Sequence, residues 1–128
     1  MKVNKLQIGD YVNYRGQIIK VTSLYDKGGS NEVGWSNKES VWVNGRCIEP
    51  IPLTPEILEK NGFKQIGEKF TRGEIDDDLI EIIPSINNSY RIKVSVADLM
   101  VSCSIWGSHV HQLQHALRLC GITLNIEV

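Results

Sequence analysis

The sequence has few cysteines, and their spacing excludes two classes of small protein. Cys47, Cys103 and Cys120 form an odd, widely separated set with no Cys-x-x-Cys pair. This pattern argues against a disulfide framework and against a zinc ribbon. We therefore expect three reduced, buried thiols.

An excess of charge of either sign is also missing. Lysine and arginine total 14 against 15 acidic residues, so the formal net charge is -1. A chain with this balance has no global field that holds a polyanion. Nucleic acid is therefore expected to bind only through a local patch.

Long apolar runs are absent as well. No stretch approaches the roughly 20 apolar residues that a membrane-spanning helix needs, and the first lysines are not followed by the apolar segment of a signal peptide. With 128 residues, 41% hydrophobic and 23% charged, the composition is that of an ordinary globular domain. We expect a cytoplasmic protein that does not contact the membrane.

What the N-terminal part does contain is a series of short β-type runs between turn residues. They cover residues 11–14, 18–24, 41–43 and 46–51. The pair Asn44-Gly45 accepts the two positive φ angles of a type I′ turn, which predicts a hairpin between the last two runs. The glycine-rich segment 26–38 predicts a long loop or a splayed hairpin.

The opening Leu-x-Ile-Gly-Asp-Tyr-Val at 6–12, followed by an Ile-Ile-Lys-Val run, resembles the start of Src-homology-3-like small barrels, the Tudor and KOW-type modules. The resemblance implies a small antiparallel barrel in this segment. On an open face of such a barrel, one or two aromatic side chains stack on a base, a proline or a methylated side chain. Tyr14, Trp35 and Trp42 are the candidates, and the alternative is that they fill a small core.

The second part of the chain predicts a short helix and then an antiparallel meander. Thr54 as N-cap, Pro55 at the first helical position and Asn61-Gly62 as the stop predict a helix over residues 55–60. Runs of alternating polar and apolar residues predict the strands that follow. They are expected at residues 63–66, 69–71, 79–83, 90–96 and 99–105.

A helix over residues 109–120 is the clearest element, with Ser108 as the expected N-cap. At about 100° per residue its apolar side chains share one face, which we expect to be buried. This core stripe consists of Val110, Leu113, Ala116, Leu117 and Cys120. His111, His115 and Arg118 share the opposite face, which predicts a polar surface that is solvated or contacts a partner.

His111 and His115 are one helical turn apart, the spacing at which a helix offers two imidazoles to one metal ion. A zinc site needs a third ligand, and the chain has no His-Glu-x-x-His motif. The third ligand would have to come from His109, Asp98 or the aspartates at 76–78, all of which we expect to be distant. A metal-dependent enzyme or metal-stabilised fold is therefore the alternative hypothesis, and no cofactor and no catalytic residue are predicted.

Two segments, Pro-Ile-Pro-Leu-Thr-Pro-Glu-Ile-Leu-Glu-Lys-Asn-Gly-Phe at 50–63 and Val-His-Gln-Leu-Gln at 110–114, resemble a family of small uncharacterised proteins encoded by phages and prophages of gut anaerobes. With the N-terminal opening, the resemblance extends over nearly the whole chain. It implies an accessory role in a mobile element and transfers no catalytic residues.

The sequence thus predicts an α+β fold in two lobes packed as one compact unit. Residues 1–52 form a β-rich, barrel-like lobe, and residues 53–128 form an α+β lobe that contains the helix at 109–120. We expect a non-enzymatic binding module. A protein partner or self-association is favoured over nucleic acid.

Overall fold

The computed structural model describes residues 1, 3–27, 30–35, 42–74, 77–96 and 101–128. They fall into two compact units, Met1–Ile51 and Pro52–Val128. Within these described residues, strands in three antiparallel sheets, two α-helices and three short 3-10 helices confirm the predicted α+β class. No helix in this part of the chain is long and apolar enough to cross a bilayer.

The first unit consists of two three-stranded sheets. The strands are β1 (Tyr11–Tyr14), β2 (Gln17–Lys20), β3 (Ser23–Lys27), β4 (Ser30–Gly34), β5 (Trp42–Asn44) and β6 (Ile48–Pro50), with 3-10 helices at Val3–Lys5 and Gly45–Cys47. One sheet has the order β2-β1-β6 and the other β3-β4-β5. No ladder between described residues closes the two sheets into a barrel.

Two hairpins shape these sheets. Arg15 and Gly16, with φ of 50° and 82°, join β1 to β2, which is the type I′ geometry of a two-residue hairpin. The segment predicted as a long loop or a splayed hairpin contains the hairpin of β3 and β4. Gly28 and Gly29, between those strands, lie outside the described residues.

The hairpin predicted at Asn44-Gly45 does not form. β5 pairs with β4 and β6 pairs with β1, so the strands on either side belong to different sheets. Asn44 has φ of -65°, and its side chain accepts a 2.9 Å hydrogen bond from the Arg46 amide at the start of a 3-10 helix. An asparagine side chain suits such a cap as well as a hairpin turn, and pairing with distant strands decides between them.

The predicted strand at 18–24 is also divided, between β2 and β3. The core of this unit draws on both sheets and the segment before β1. Its buried apolar residues are Leu6, Val12, Ile19, Val21, Val33 and Ile48.

The second unit is a five-stranded sheet with two helices. Its elements are α1 (Pro55–Lys60), β7 (Lys64–Ile66), β8 (Lys69–Gly73), β9 (Asp78–Pro84), a 3-10 helix (Ile86–Asn88), β10 (Tyr90–Val96), β11 (Val101–Gly107) and α2 (Val110–Leu119). The sheet order β11-β10-β9-β8-β7 follows the chain. This confirms the predicted antiparallel meander, although Leu99, the expected start of its last strand, lies outside the described residues.

Helix α1 has the predicted bounds because its caps are local. The Thr54 hydroxyl accepts a hydrogen bond from the Ile57 amide at 3.3 Å, Pro55 occupies the first turn, and Asn61 is the C-cap. Proline at the first helical position loses no hydrogen bond, since that amide has no partner within the helix.

Helix α2 begins one residue later than predicted, because His109 and not Ser108 is the N-cap. The side chain of Gln112 accepts hydrogen bonds from the amides of Ser108 (2.8 Å) and His109 (3.0 Å). A glutamine at the third helical position thus satisfies the amides before the first turn, and no serine hydroxyl is needed there.

One face of the sheet is covered by α2, which packs on β10 and β11. The core stripe of α2 is buried as predicted. A Cβ added to Gly107 would lie 3.1 Å from both Gln112 Cβ and Ile92 Cδ1, so glycine lets the helix approach the sheet. The sheet residues on this covered face include Phe70, Ile80, Ile82, Ile92 and Val94, all buried.

Candidate functional site

The polar face predicted for α2 is not uniformly open to solvent. Arg118 is exposed and His115 is half-buried, but His111 is only 7% exposed. Gln114 is buried as well. His111 is therefore part of the packed interior, and only the last turns of this face are accessible.

His109 lies next to His111, contrary to the sequence-based expectation that it is distant. Its ring stacks on that of His111 with centroids 5.8 Å apart and planes at 19°, and His111 meets His115 edge-on at 5.5 Å. The three imidazoles thus form one row. No signal in the spacing showed this, because His109 lies at the N-cap, outside the helical periodicity.

This row does not amount to a metal centre. Within the described part of the chain, no group of three or more histidine, cysteine, aspartate or glutamate side chains is arranged to hold a metal ion. Asp98 and Asp76, which the sequence offered as further ligands, lie outside the described residues. The described residues therefore supply no third ligand for a metal ion at His111 and His115.

The three candidate aromatic residues do not share a surface. Tyr14 and Trp35 are in contact, with ring centroids 5.1 Å apart at 42°, and both pack against the core of the first unit. Trp42 is 42% exposed on β5. Tyr14 and Trp35 are thus half-buried against a core, whereas Trp42 is exposed.

The described residues of the second unit line at least two clefts. The larger, about 440 Å³, is lined by Pro52, Leu53, Thr54, Pro55, Asn87, Asn88, Tyr90, Ser108 and His109. In it the Ser108 hydroxyl lies 3.1 Å from His109 Nδ1. No carboxylate is among these lining residues, so the pair lacks the group that orients a histidine in a hydrolytic triad. The other, about 380 Å³, includes Arg72, Asp78 and Gly121 in its lining.

The open face of the five-stranded sheet is the most distinctive surface. Residues alternate between the two faces of a strand, so the side chains between the buried positions point away from α2. Antiparallel register brings several of them into two rows. The first row contains Lys64, Thr71, Glu81, Lys93 and Ser104. The second row contains the pair Ile66 and Lys69, followed by Ile83, Arg91 and Trp106, which lie opposite one another on β9, β10 and β11. We call these two rows the basic face.

The charges on the basic face are unbalanced. It carries four cations, Lys64, Lys69, Arg91 and Lys93, and one carboxylate, Glu81. Lys69 Nζ pairs with Glu81 Oε2 at 2.8 Å, and Arg91 Nε donates to Ser104 Oγ at 2.9 Å. Lys64 and Lys93 make no ion pair with a described carboxylate. The net charge of this face is therefore positive, although that of the chain is -1.

The basic face also presents large apolar groups. Trp106 is 63% exposed on one edge strand and Ile66 is 59% exposed on the other. The strands predicted from the sequence, at residues 90–96 and 99–105, include Arg91 and Lys93 but end before Trp106. Only the register of five strands brings these side chains together, and no single motif could have shown it.

Comparisons with protein-family models, with curated proteins and with solved structures found no match.

Proposed function

We propose that the chain is a non-enzymatic binding module, that its binding surface is the basic face, and that its partner is anionic. The observation that supports this most strongly is the charge of that face. Four cations and one carboxylate project from a single sheet surface, in a chain whose total charge is close to neutral.

The composition of the basic face suits binding and not reaction. It contains no histidine and no cysteine, and its one carboxylate is already paired with Lys69. General acid-base or nucleophilic chemistry requires such groups, free and close to one another. Ammonium and guanidinium groups instead hold anions, with the guanidinium suited to bidentate contacts.

The backbone under these cations is regular, which favours binding. Arg91 and Lys93 lie on β10, which is paired on both sides. Cations held on paired strands lose less conformational freedom on binding than cations on a loop, so less of the interaction energy is lost to ordering. A surface of one charge sign also accelerates encounter with an oppositely charged partner.

The resemblance to phage- and prophage-encoded proteins supports an accessory role in a mobile element. In that role the module would bind an anionic macromolecule and would not transform a small substrate.

A titration with labelled polyanions tests the proposal. We expect heparin to bind the full chain with an affinity that falls as salt rises, and we expect the double change Arg91→Gln with Lys93→Gln to weaken binding. The matched control is Lys5→Gln with Arg46→Gln, which removes the same charge from exposed positions of the first unit.

The control double variant is expected to bind as the unchanged chain does. Equal weakening by both double variants would place the binding elsewhere and contradict the proposal. So would an absence of binding to heparin and to polyglutamate at low salt.

A further inference from the structure

We infer that the occupant of the basic face is single-stranded nucleic acid, whose phosphates contact Lys64, Arg91 and Lys93 while a base stacks on Trp106. This inference rests on the proposed function and adds the class of ligand.

A cation lies beside an exposed indole on the basic face. Arg91 and Trp106 lie directly opposite each other on β10 and β11, and both are exposed. Opposite side chains of an antiparallel pair have Cβ atoms roughly 5 Å apart. In a nucleotide the phosphate and the base are joined through one sugar. A nucleotide can therefore place its phosphate at Arg91 and its base on Trp106.

The basic face is wide enough to contact several nucleotides. Neighbouring strands lie about 4.8 Å apart, so the five strands extend roughly 19 Å from Trp106 on one edge to Lys64 and Ile66 on the other. Lys93 lies between these edges, on the row that contains Lys64. On that row Thr71 and Glu81 lie between the two lysines, and the Glu81 carboxylate is paired with Lys69. Cations on β7, β8 and β10 are thus spread across the sheet, where they can contact successive phosphates of a strand.

The width of the basic face and its exposed indole favour single strands over other anions. A surface roughly 19 Å wide is broader than the major groove of about 12 Å, so a duplex would offer it phosphates but no base for Trp106. An acidic peptide would satisfy the cations and leave the indole without a stacking partner. An unpaired base has an accessible π-face, and stacking of this kind accepts any base.

The test compares four labelled ligands on the full chain at one salt concentration. They are an oligothymidine, an abasic phosphodiester of equal length, a DNA duplex and polyglutamate. We expect the oligothymidine to bind most tightly, because it alone offers phosphates and unpaired bases.

Variants then isolate the stacking contact. Trp106→Ala is expected to weaken oligothymidine binding roughly 5- to 150-fold, the contribution of one stacked base, and to leave binding of the abasic strand unchanged. Trp106→Phe keeps an aromatic ring and is expected to retain part of the affinity. Trp42→Ala removes an exposed indole from the first unit and is expected to change neither.

The outcomes distinguish this inference from the proposed function. If polyglutamate or the abasic strand binds as tightly as oligothymidine and Trp106→Ala has no effect, the basic face binds anions but not bases, and only the inference is overturned. Tighter binding of the duplex overturns it as well. If none of the four ligands binds, the inference is overturned, and if heparin does not bind either, the proposed function is overturned with it.

Discussion

Arg91 and Trp106 face each other across β10 and β11 with both side chains in solvent, although 15 positions separate them in the sequence. Their proximity depends on the register of this hairpin. A slip of one residue would turn one of the two side chains to the face covered by α2. The buried residues Ile92 and Val94 oppose such a slip, because it would bring apolar groups into water. The core therefore maintains the arrangement of the basic face.

The salt dependence of oligonucleotide binding should report the number of phosphates contacted. For a single strand, each neutralised phosphate contributes about -0.7 to the slope of log K against log salt. We expect Lys93→Gln to make the slope shallower by about 0.7, measured by anisotropy titrations at several salt concentrations. Arg46→Gln, on the first unit, should leave the slope unchanged, and an unaltered slope in Lys93→Gln would show that this lysine contacts no phosphate.

Asn61 links the end of α1 to the C-terminal segment. Its side chain donates to the carbonyls of Ile57 and Glu127 and accepts from the Glu127 amide, each at 2.7 Å. We expect Asn61→Ala to lower the free energy of unfolding by about 1–2 kcal/mol, since the lost bonds are partly replaced by water. Urea denaturation measures this loss, and hydrogen exchange should show reduced protection of the Glu127 amide.

The matched control for Asn61 is Asn125→Ala, because Asn125 is exposed. Its substitution should change the unfolding free energy by no more than about 0.5 kcal/mol. Comparable losses in the two variants would indicate that the Asn61 contacts contribute nothing specific.

His111 is expected to contribute to stability, because it is buried and contacts two other rings. His111→Ala should lower the free energy of unfolding by about 1–3 kcal/mol through lost packing. Leu119→Ala, on the same helix and 74% exposed, should change it by less than about 0.5 kcal/mol. Thermal or urea unfolding of both variants measures these changes. An unchanged free energy of unfolding in His111→Ala would mean that the imidazole is not packed.

The three thiols should differ in reactivity, which corrects the expectation that all are buried. Cys47 is exposed, Cys103 is half-buried and Cys120 is buried. Burial raises the pKa of Cys120, and the neighbouring thiol of Cys103, which is hydrogen-bonded to it, raises this pKa further. Because the thiolate is the nucleophile, we expect iodoacetamide to modify Cys47 first and Cys120 last, as measured by peptide mass spectrometry. Fast modification of Cys120 in the folded chain would contradict this order.

The same pKa has a consequence for stability. A thiol whose pKa is raised by folding keeps its proton to higher pH in the native state than in the unfolded state. The contribution of the protonated Cys120 thiol to stability is therefore present below the free-thiol pKa of roughly 8.5, at which a free thiol is half ionised, and is lost as pH rises through the raised native pKa. Cys120→Ala should reduce the fall in unfolding free energy across this alkaline range.

Local signals were sufficient for several elements and insufficient for the surfaces. Thr54, Pro55 and Asn61 determine the bounds of α1 through contacts within a few residues, so the sequence predicted them correctly. The Asn44-Gly45 pair was misinterpreted because its conformation depends on pairing with β4 and β1. The basic face escaped prediction for a related reason. Alternation shows which side chains share a strand face, but only strand order and register show which strands lie side by side.

The most direct measurement of the central claim is the response of the indole amides in an NMR titration with oligothymidine. The chain has three tryptophans, so three indole N–H signals report separately on Trp35, Trp42 and Trp106. We expect the Trp106 signal to shift or broaden as oligothymidine is added, while the Trp35 and Trp42 signals stay in place. A shift confined to Trp42, or no shift at saturating ligand, would contradict single-stranded nucleic-acid binding on the basic face.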